Sequence, residues 1–258
     1  MFSLEVESDL DQKDLLAAEL WEEGSTGIVE EDLPENRFLL RAFFDAEADA
    51  DSLARRFGGR VTQHEARDWV AYSRAGWKPL AVGSRFYLVP DWLDDPTPPG
   101  RFRIEINPGM AFGTGYHEAT QMCLEALEEY LRPGMTVLDV GTGSGILSRA
   151  ATLLGAGRVI GCDVDPDAVT IARRNIDAFV GSADAVRSQS CDLVLANINA
   201  QTSIDMAQQF LRCLAPGGRL VASGVEAWEE PQVARAYPSI EQTMRKGDWR
   251  ALVVTRKA

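Results

Sequence analysis

Histidine and cysteine are scarce in this chain of 258 residues, and their spacing excludes several kinds of site. The two histidines lie far apart, at His64 and His117, so a zinc site with histidine ligands is not expected. Four cysteines are scattered through apolar surroundings without a C-x-x-C pair, at Cys123, Cys162, Cys191 and Cys213. We therefore expect reduced thiols in the core, and neither a disulfide framework nor a bound metal.

Long apolar runs and an excess of basic residues are missing as well. No stretch reaches the roughly 18 apolar residues of a membrane-spanning helix, and the acidic, alternating N-terminus is unlike a signal peptide. We predict a cytoplasmic protein without membrane contact. The net charge of −13 argues against nonspecific nucleic-acid binding, which needs a basic face. It suits a cationic partner such as a lysine-rich protein, although many acidic proteins have no such partner.

Three glycines at alternate positions follow the apolar run at 135–140. Residues 139–145 read Asp-Val-Gly-Thr-Gly-Ser-Gly, and apolar residues continue at helical spacing from Ile146. The pattern predicts a strand, a tight turn and a helix whose first N–H groups face a ligand. A dinucleotide site would place its third glycine one position later.

An acidic residue follows this glycine turn further along the sequence. Asp163 ends the apolar stretch 158–163 and lies 22 positions after Gly141, close to the spacing of an acid that binds ribose hydroxyls. The turn and the acid together resemble the S-adenosylmethionine site of Rossmann-like methyltransferases. A glycine corner used only for close packing is the alternative.

The predicted elements divide the chain into three segments. Residues 1–65 follow the order β-α-β-β-α-β, which predicts a small α+β ferredoxin-like domain, a candidate substrate-recognition module. Residues 66–105 form a connecting segment. Residues 106–258 alternate strands and helices, which predicts an α/β domain with a mostly parallel sheet and helices on both faces. Ligands bind such sheets at the carboxyl ends of the strands, where Gly141, Asp163 and Asn197 are expected.

Several elements of the third segment are predicted individually. Single helices are expected over 118–131, 166–176 and 204–214, and a strand over 219–223 after a turn at 215–218. A glycine-rich loop at 107–117 precedes the first of these helices and is expected to fold over a ligand. Its His117 is interpreted as a structural hydrogen-bonding residue, with a direct catalytic role as the alternative.

Three motifs together give the chain a family resemblance. Residues 107–118 read Asn-Pro-Gly-Met-Ala-Phe-Gly-Thr-Gly-Tyr-His-Glu, residues 161–166 read Gly-Cys-Asp-Val-Asp-Pro, and the glycine turn at 139–145 lies between them. With the Ala-Asn-Ile run at 196–198 and the Gly-Asp-Trp run at 247–249, the chain resembles the ribosomal protein L11 methyltransferases. The resemblance extends from about residue 66 to the C-terminus, and the Phe-Gly-Thr-Gly loop is its most specific part.

The resemblance implies an enzyme that transfers methyl groups from S-adenosyl-L-methionine to lysine side chains and the α-amino group of ribosomal protein L11. It implies that the N-terminal domain binds the substrate protein, and we expect a monomer without direct nucleic-acid contact. Asn197 is expected to orient the amine and Phe112 to shield the site from water. The predicted cofactor-binding residues are Gly141, Gly143, Asp163, Asn197, Thr114, Ala119 and Thr120.

Three departures from the family pattern bear on this assignment. Ala119 stands where the family has a threonine, so Thr120 or Thr114 would have to supply the hydroxyl. Asn199 replaces a leucine, and the segment 177–190 is shorter than usual. Three alternatives remain open: a methyltransferase for another protein lysine, such as one on an electron-transfer flavoprotein subunit, a noncatalytic binding protein of the same fold, and a small-molecule methyltransferase.

Overall fold

The computed structural model describes residues 2–34, 37–45, 48–63, 77–107 and 115–257. The chain divides into two compact units, Met1–Trp77 and Lys78–Ala258. The predicted domain boundary after residue 65 lies outside the described residues. Residues 78–105 of the predicted connecting segment belong to the second unit.

The first unit has the predicted β-α-β-β-α-β order. Its elements are β1 (Phe2–Asp9), α1 (Leu10–Glu22), β2 (Gly27–Leu33), β3 (Arg37–Phe44), α2 (Ala50–Phe57) and β4 (Arg60–Gln63). The antiparallel sheet has the order β2-β3-β1-β4. Leu20 of α1 and Leu53 of α2 pack with Phe2, Leu4 and Phe44 in one core, so both helices cover the same face of the sheet.

The second unit contains two sheets. The strands are β5 (Leu80–Val82), β6 (Phe86–Pro90), β7 (Phe102–Ile106), β8 (Thr136–Val140), β9 (Arg158–Asp163), β10 (Asp177–Val180), β11 (Cys191–Asn197), β12 (Leu214–Glu226), β13 (Ile240–Lys246) and β14 (Trp249–Thr255). The helices are α3 (Glu118–Tyr130), α4 (Ile146–Leu153), α5 (Pro166–Ala172), α6 (Ala200–Asp205), α7 (Ala207–Cys213) and α8 (Glu230–Ala236). The large sheet has the order β10-β9-β8-β11-β12-β14-β13, and β5, β6 and β7 form the small one.

The large sheet is mostly parallel, as predicted. Strands β10, β9, β8, β11 and β12 run parallel, and the C-terminal hairpin β13-β14 adds two antiparallel strands at the edge. Alternate residues of β11 point to opposite faces: Leu193 and Leu195 pack with α3 and α4, whereas Val194 and Ala196 pack with α6 and α7. The predicted cover of helices on both faces is therefore confirmed.

Several predicted boundaries in the second unit are wrong. The helix expected over 166–176 ends at Ala172, because the chain must turn within four residues to enter β10 at Asp177. The helix expected over 204–214 is two helices, α6 and α7, that meet at Met206. Helix α6 begins earlier than predicted because the Asn199 side chain accepts a hydrogen bond from Thr202 N–H at 2.8 Å.

Three further elements extend beyond their predicted limits or lack a prediction. Strand β12 starts at Leu214, and the expected turn at 215–218 is an irregularity within it, where Gly217 has a φ of +78° and the pairing with β11 is interrupted between Leu214 and Arg219. Strand β5 and helix α8 are new, since their short sequences carry too few apolar positions to give a periodic signal.

The cysteines of the second unit lie in its core. All four cysteines are free and buried, and burial raises the pKa of Cys123 and Cys162 to about 12, which confirms the expected core thiols. Among the described residues, no three side chains of the metal-binding types come together. Within the same residues, every helix is too short or too polar to cross a membrane.

Candidate functional site

The candidate site lies at the carboxyl edge of the large sheet. Ala196 of β11 pairs with Val140 of β8, and Val140 pairs with Cys162 of β9. The next residue of each strand is therefore at the same level, which brings Asn197, Gly141 and Asp163 into one row. With neighbouring strands about 4.8 Å apart, the row is about 10 Å long. The three residues therefore lie side by side at the carboxyl ends of their strands, as predicted.

The glycine turn between β8 and α4 has the backbone conformation that requires glycine. Gly141, Gly143 and Gly145 have φ angles of +69°, +51° and +79°. Gly145 is also the residue before the first turn of α4 and has no side chain with which to cap it. An anion or a polar ligand can therefore approach this backbone closely.

Asp163 is fixed beside the turn by two backbone donors. Its Oδ2 accepts a hydrogen bond from Gly143 N–H at 3.0 Å, and its Oδ1 accepts one from Asp165 N–H at 3.1 Å. The side chain is half-buried and forms no ion pair with any residue that the structure describes. Since an ionised carboxylate has about four lone-pair sites, each oxygen keeps capacity for a hydroxyl donor.

A second acidic residue, Asp139, holds the turn through buried hydrogen bonds and was not predicted as a site residue. It is 1% exposed, and its Oδ2 accepts hydrogen bonds from Thr142 Oγ1 at 2.8 Å, Ser148 Oγ at 2.7 Å and Ser148 N–H at 3.1 Å. Ser148 N–H belongs to the first turn of α4, so Asp139 supplies the cap that Gly145 lacks. Its Oδ1 is buried without a partner among the described residues.

Burial also shifts the pKa of Asp139. Loss of hydration raises the pKa of this carboxyl above its ordinary value, although the hydrogen bonds from Ser148 and Thr142 act in the opposite direction. The sequence does carry a signal for this residue, because an acid in the middle of the apolar run 135–140 is costly to bury without partners.

Asn197 is connected to the first turn of α3. Its Nδ2 donates a hydrogen bond to Thr120 Oγ1 at 3.1 Å, and its Oδ1 has no partner among the described residues. Beside it, Ser223 of β12 donates from Oγ to the carbonyl oxygen of Ala119 at 3.0 Å. Of the predicted hydroxyl sources for the family's missing threonine, Thr120 therefore lies at the site, and Ala119 contributes its backbone.

His117 takes the structural role expected for it. Its Nδ1 accepts a hydrogen bond from Ala119 N–H at 3.3 Å, which caps α3. Its ring also contacts the edge of Trp249, with ring centroids 4.3 Å apart. This hydrogen bond occupies the lone pair of Nδ1, so that nitrogen is not available as a base while the cap is formed. Phe112 and Thr114 lie outside the described residues, and their predicted roles stay predictions.

The residues of this edge fit S-adenosyl-L-methionine. The Asp163 carboxylate offers acceptors for two ribose hydroxyls, and the glycine turn offers backbone that a ligand can approach. Asn197 Oδ1 is available as a further acceptor two strands away from Asp163.

Comparison with known proteins places this geometry in a family. Residues 5–257 match the family model described as ribosomal protein L11 methyltransferase (PrmA). The ribosomal protein L11 methyltransferase of Pelobacter propionicus is 36% identical over 304 aligned residues, with 99% of this chain and 98% of that protein covered. The protein of the same description from Geobacter metallireducens is 39% identical, with 87% and 78% covered.

A solved structure agrees with these sequence comparisons. The ribosomal protein L11 methylase of Lactobacillus delbrueckii subsp. bulgaricus aligns with a TM-score of 0.64 at 30% identity, over 70% of this chain and 99% of that one. The alignment with the Pelobacter relative is longer than this chain, so that relative has additional residues within the aligned region.

Proposed function

The chain belongs to the ribosomal protein L11 methyltransferase family, and we propose on this basis that it transfers methyl groups from S-adenosyl-L-methionine to amines of ribosomal protein L11. The observation that carries the proposal is the family match over residues 5–257. The row of Gly141, Asp163 and Asn197 supplies a site where the cofactor can bind. The acceptor groups are lysine side chains and the α-amino group. Action in the cytoplasm, as a monomer and without direct nucleic-acid contact, is part of the proposal.

The chain's contribution to methyl transfer is binding, orientation and control of protons. S-adenosyl-L-methionine, when bound, supplies a methyl group already activated on a sulfonium centre. Asp163 would hold the ribose hydroxyls, and the glycine turn would let the polar end of the cofactor approach its backbone closely. Gly143 serves the first of these roles, since its N–H fixes the orientation of the Asp163 carboxylate.

The amine must reach the site without its proton. A lysine with its ordinary pKa of about 10.4 is neutral only about once in a few thousand molecules near pH 7, which costs about 4–5 kcal/mol. Partial burial at the sheet edge disfavours the ammonium form and lowers this cost. The cofactor would supply the methyl group, with the neutral thioether as leaving group when the carbon–sulfur bond breaks, and the methylated ammonium that results would release one proton to solvent.

Asn197 is the residue best placed to orient the amine. Because its Nδ2 is engaged with Thr120, the amide plane is fixed and Oδ1 points away from that contact. An amine N–H donated to Oδ1 would leave the nitrogen lone pair free to face the methyl group. Asn197 would thus position the amine. Phe112 is proposed to exclude water from the space around that amine.

The first unit is proposed to recognise the substrate protein. Residues 1–63 contain 16 acidic and 6 basic residues, so they hold most of the net charge of −13. A surface of this sign attracts a lysine-rich protein and speeds its association at low ionic strength. The charge supports a basic partner without specifying which one.

Labelled cofactor and purified ribosomal protein L11 test the proposal directly. We expect time-dependent incorporation of labelled methyl groups into L11, and mass spectrometry should place them on lysine side chains and the N-terminus. An electron-transfer flavoprotein subunit serves as the comparison substrate. Incorporation into that protein but not into L11 would assign the chain to another lysine substrate. Cofactor binding without transfer to either protein would support the noncatalytic alternative.

A further inference from the structure

A solvent-exposed tryptophan lies at the rim of the site, on the turn between β12 and α8. Trp228 is 72% exposed, so most of its large apolar surface meets water. Its indole N–H donates to Glu226 Oε2 at 2.7 Å. This hydrogen bond orients the ring while most of its surface stays open to solvent.

This turn is tied to the candidate site by backbone contacts. Ser223 pairs with Asn197, and the next residue, Gly224, lies so close to Ile198 that an added Cβ would be 2.3 Å from its carbonyl oxygen. Trp228 follows Gly224 by four residues, a span of at most about 14 Å. The Ala227 N–H also donates to the carbonyl oxygen of Asp248 at 2.7 Å, which joins the turn to the C-terminal hairpin.

The carboxylates of Glu226 and Glu229 flank Trp228 and accept hydrogen bonds from within the turn. Glu226 accepts the indole N–H, and Glu229 accepts the backbone N–H of Glu226 at 2.9 Å. Neither forms an ion pair with any described residue. The basic residues of the hairpin are engaged elsewhere: Arg245 and Arg250 pair with Glu230, and Lys246 pairs with Glu125.

We propose that Trp228, with Glu226 and Glu229, binds a lysine side chain of the substrate protein that neighbours the methylated amine. The proposal rests on the proposed function, since it supplies the second contact for a substrate whose amine reaches Asn197. An ammonium group on an aromatic face is stabilised by the ring quadrupole, and the two carboxylates provide the opposite charge. The long, flexible stem of lysine allows a neighbouring residue to reach this rim while another enters the site.

Kinetics with ribosomal protein L11 give the first test. Trp228→Ala should raise the KM for L11 about five- to tenfold, while kcat and the Kd for S-adenosyl-L-methionine stay within twofold. Trp228→Phe should keep most of the affinity because it retains an aromatic face. The matched control is Ile240→Ala, which should leave KM unchanged. Ile240 is an exposed apolar residue at the start of β13, beside the amino end of β12 and away from Trp228. An unchanged KM for Trp228→Ala overturns the proposal, as does a parallel loss of cofactor affinity, which would indicate a structural role.

A spectroscopic titration decides the matter even if the wild-type protein does not methylate L11. The indole N–H resonance of Trp228 is assigned by its loss in Trp228→Phe and followed while tetralysine is added. We expect a saturable shift that is lost in the double variant Glu226→Gln/Glu229→Gln and kept in Asp177→Asn, an exposed carboxylate elsewhere. Without L11 methylation, such a shift would show that Trp228 binds lysine side chains while the proposed function fails. A resonance that does not move refutes the inference whatever the activity.

Discussion

Replacing Asp163 tests the cofactor assignment most directly. In the structure its two oxygens hold Gly143 N–H and Asp165 N–H, and each oxygen keeps a lone pair for a ribose hydroxyl. A hydrogen bond to a charged group contributes about 1.5–3 kcal/mol, so losing one weakens binding about 10- to 150-fold. Asp163→Asn keeps one acceptor and should fall in this range. Asp163→Ala removes both acceptors and the anchor of Gly143, so its loss should be at least as large.

Calorimetric titration with S-adenosyl-L-methionine provides the measurement, and thermal unfolding shows that each variant is folded. Asp165→Asn is the matched control: it removes the same charge two residues away, where the side chain only caps α5 through Asp167 N–H. Asparagine caps equally well, so its affinity should stay within twofold of wild type. If folded Asp163→Ala binds the cofactor as tightly as wild type, Asp163 does not hold the ribose and the site assignment fails.

Four further predictions follow from contacts in the two units. Asn197→Leu should reduce the single-turnover rate at saturating cofactor about a hundredfold, and a near-normal rate would make Asn197 purely structural. Burial raises the pKa of Asp139 in the folded protein, so stability should fall as the pH rises from the ordinary pKa of the carboxyl to its pKa in the folded protein. Denaturant unfolding over this pH range should show the wild-type protein losing stability relative to Asp139→Asn. A difference in stability that does not depend on pH would contradict this prediction. Gly224→Ala should destabilise by about 1–3 kcal/mol in thermal unfolding, more than Gly247→Ala, which has a positive φ but open space; equal losses would show that the close contact is unimportant. A chain beginning at Lys78 should bind cofactor yet fail to methylate L11, and full activity would remove the first unit from substrate recognition.

A strand with a continuous apolar pattern was the easiest element to predict. The observed bounds of β9, Arg158–Asp163, agree with the predicted apolar stretch 158–163, because burial of the strand fixes which residues are apolar. The family and the parallel sheet were also predicted and are confirmed. The helices at 200–213 were harder, since a capping asparagine and a break at Met206 do not alter apolar spacing.

Long-range contacts explain most of what the sequence could not indicate about the site. Asn197 and Thr120 are 77 positions apart, and nothing in either segment specifies the hydrogen bond between them. Asp139 was visible as an acid in an apolar run, but its partners approach only when α4 folds back onto β8. Local patterns thus predict which strand ends carry polar residues, whereas the packed helices decide which of those residues are paired.

The double engagement of Asn197 requires that its two roles be separated. Its amide nitrogen holds the first turn of α3 through Thr120, and its amide oxygen is proposed to orient the substrate amine. Asn197→Leu removes both, so a lost rate alone does not identify the oxygen. Thr120→Val removes only the α3 contact and keeps the side-chain shape, while the Ser223 bond to Ala119 continues to hold the same turn. If Thr120→Val retains turnover and Asn197→Leu does not, the loss belongs to the amide oxygen; if both fall equally, Asn197 acts by positioning α3.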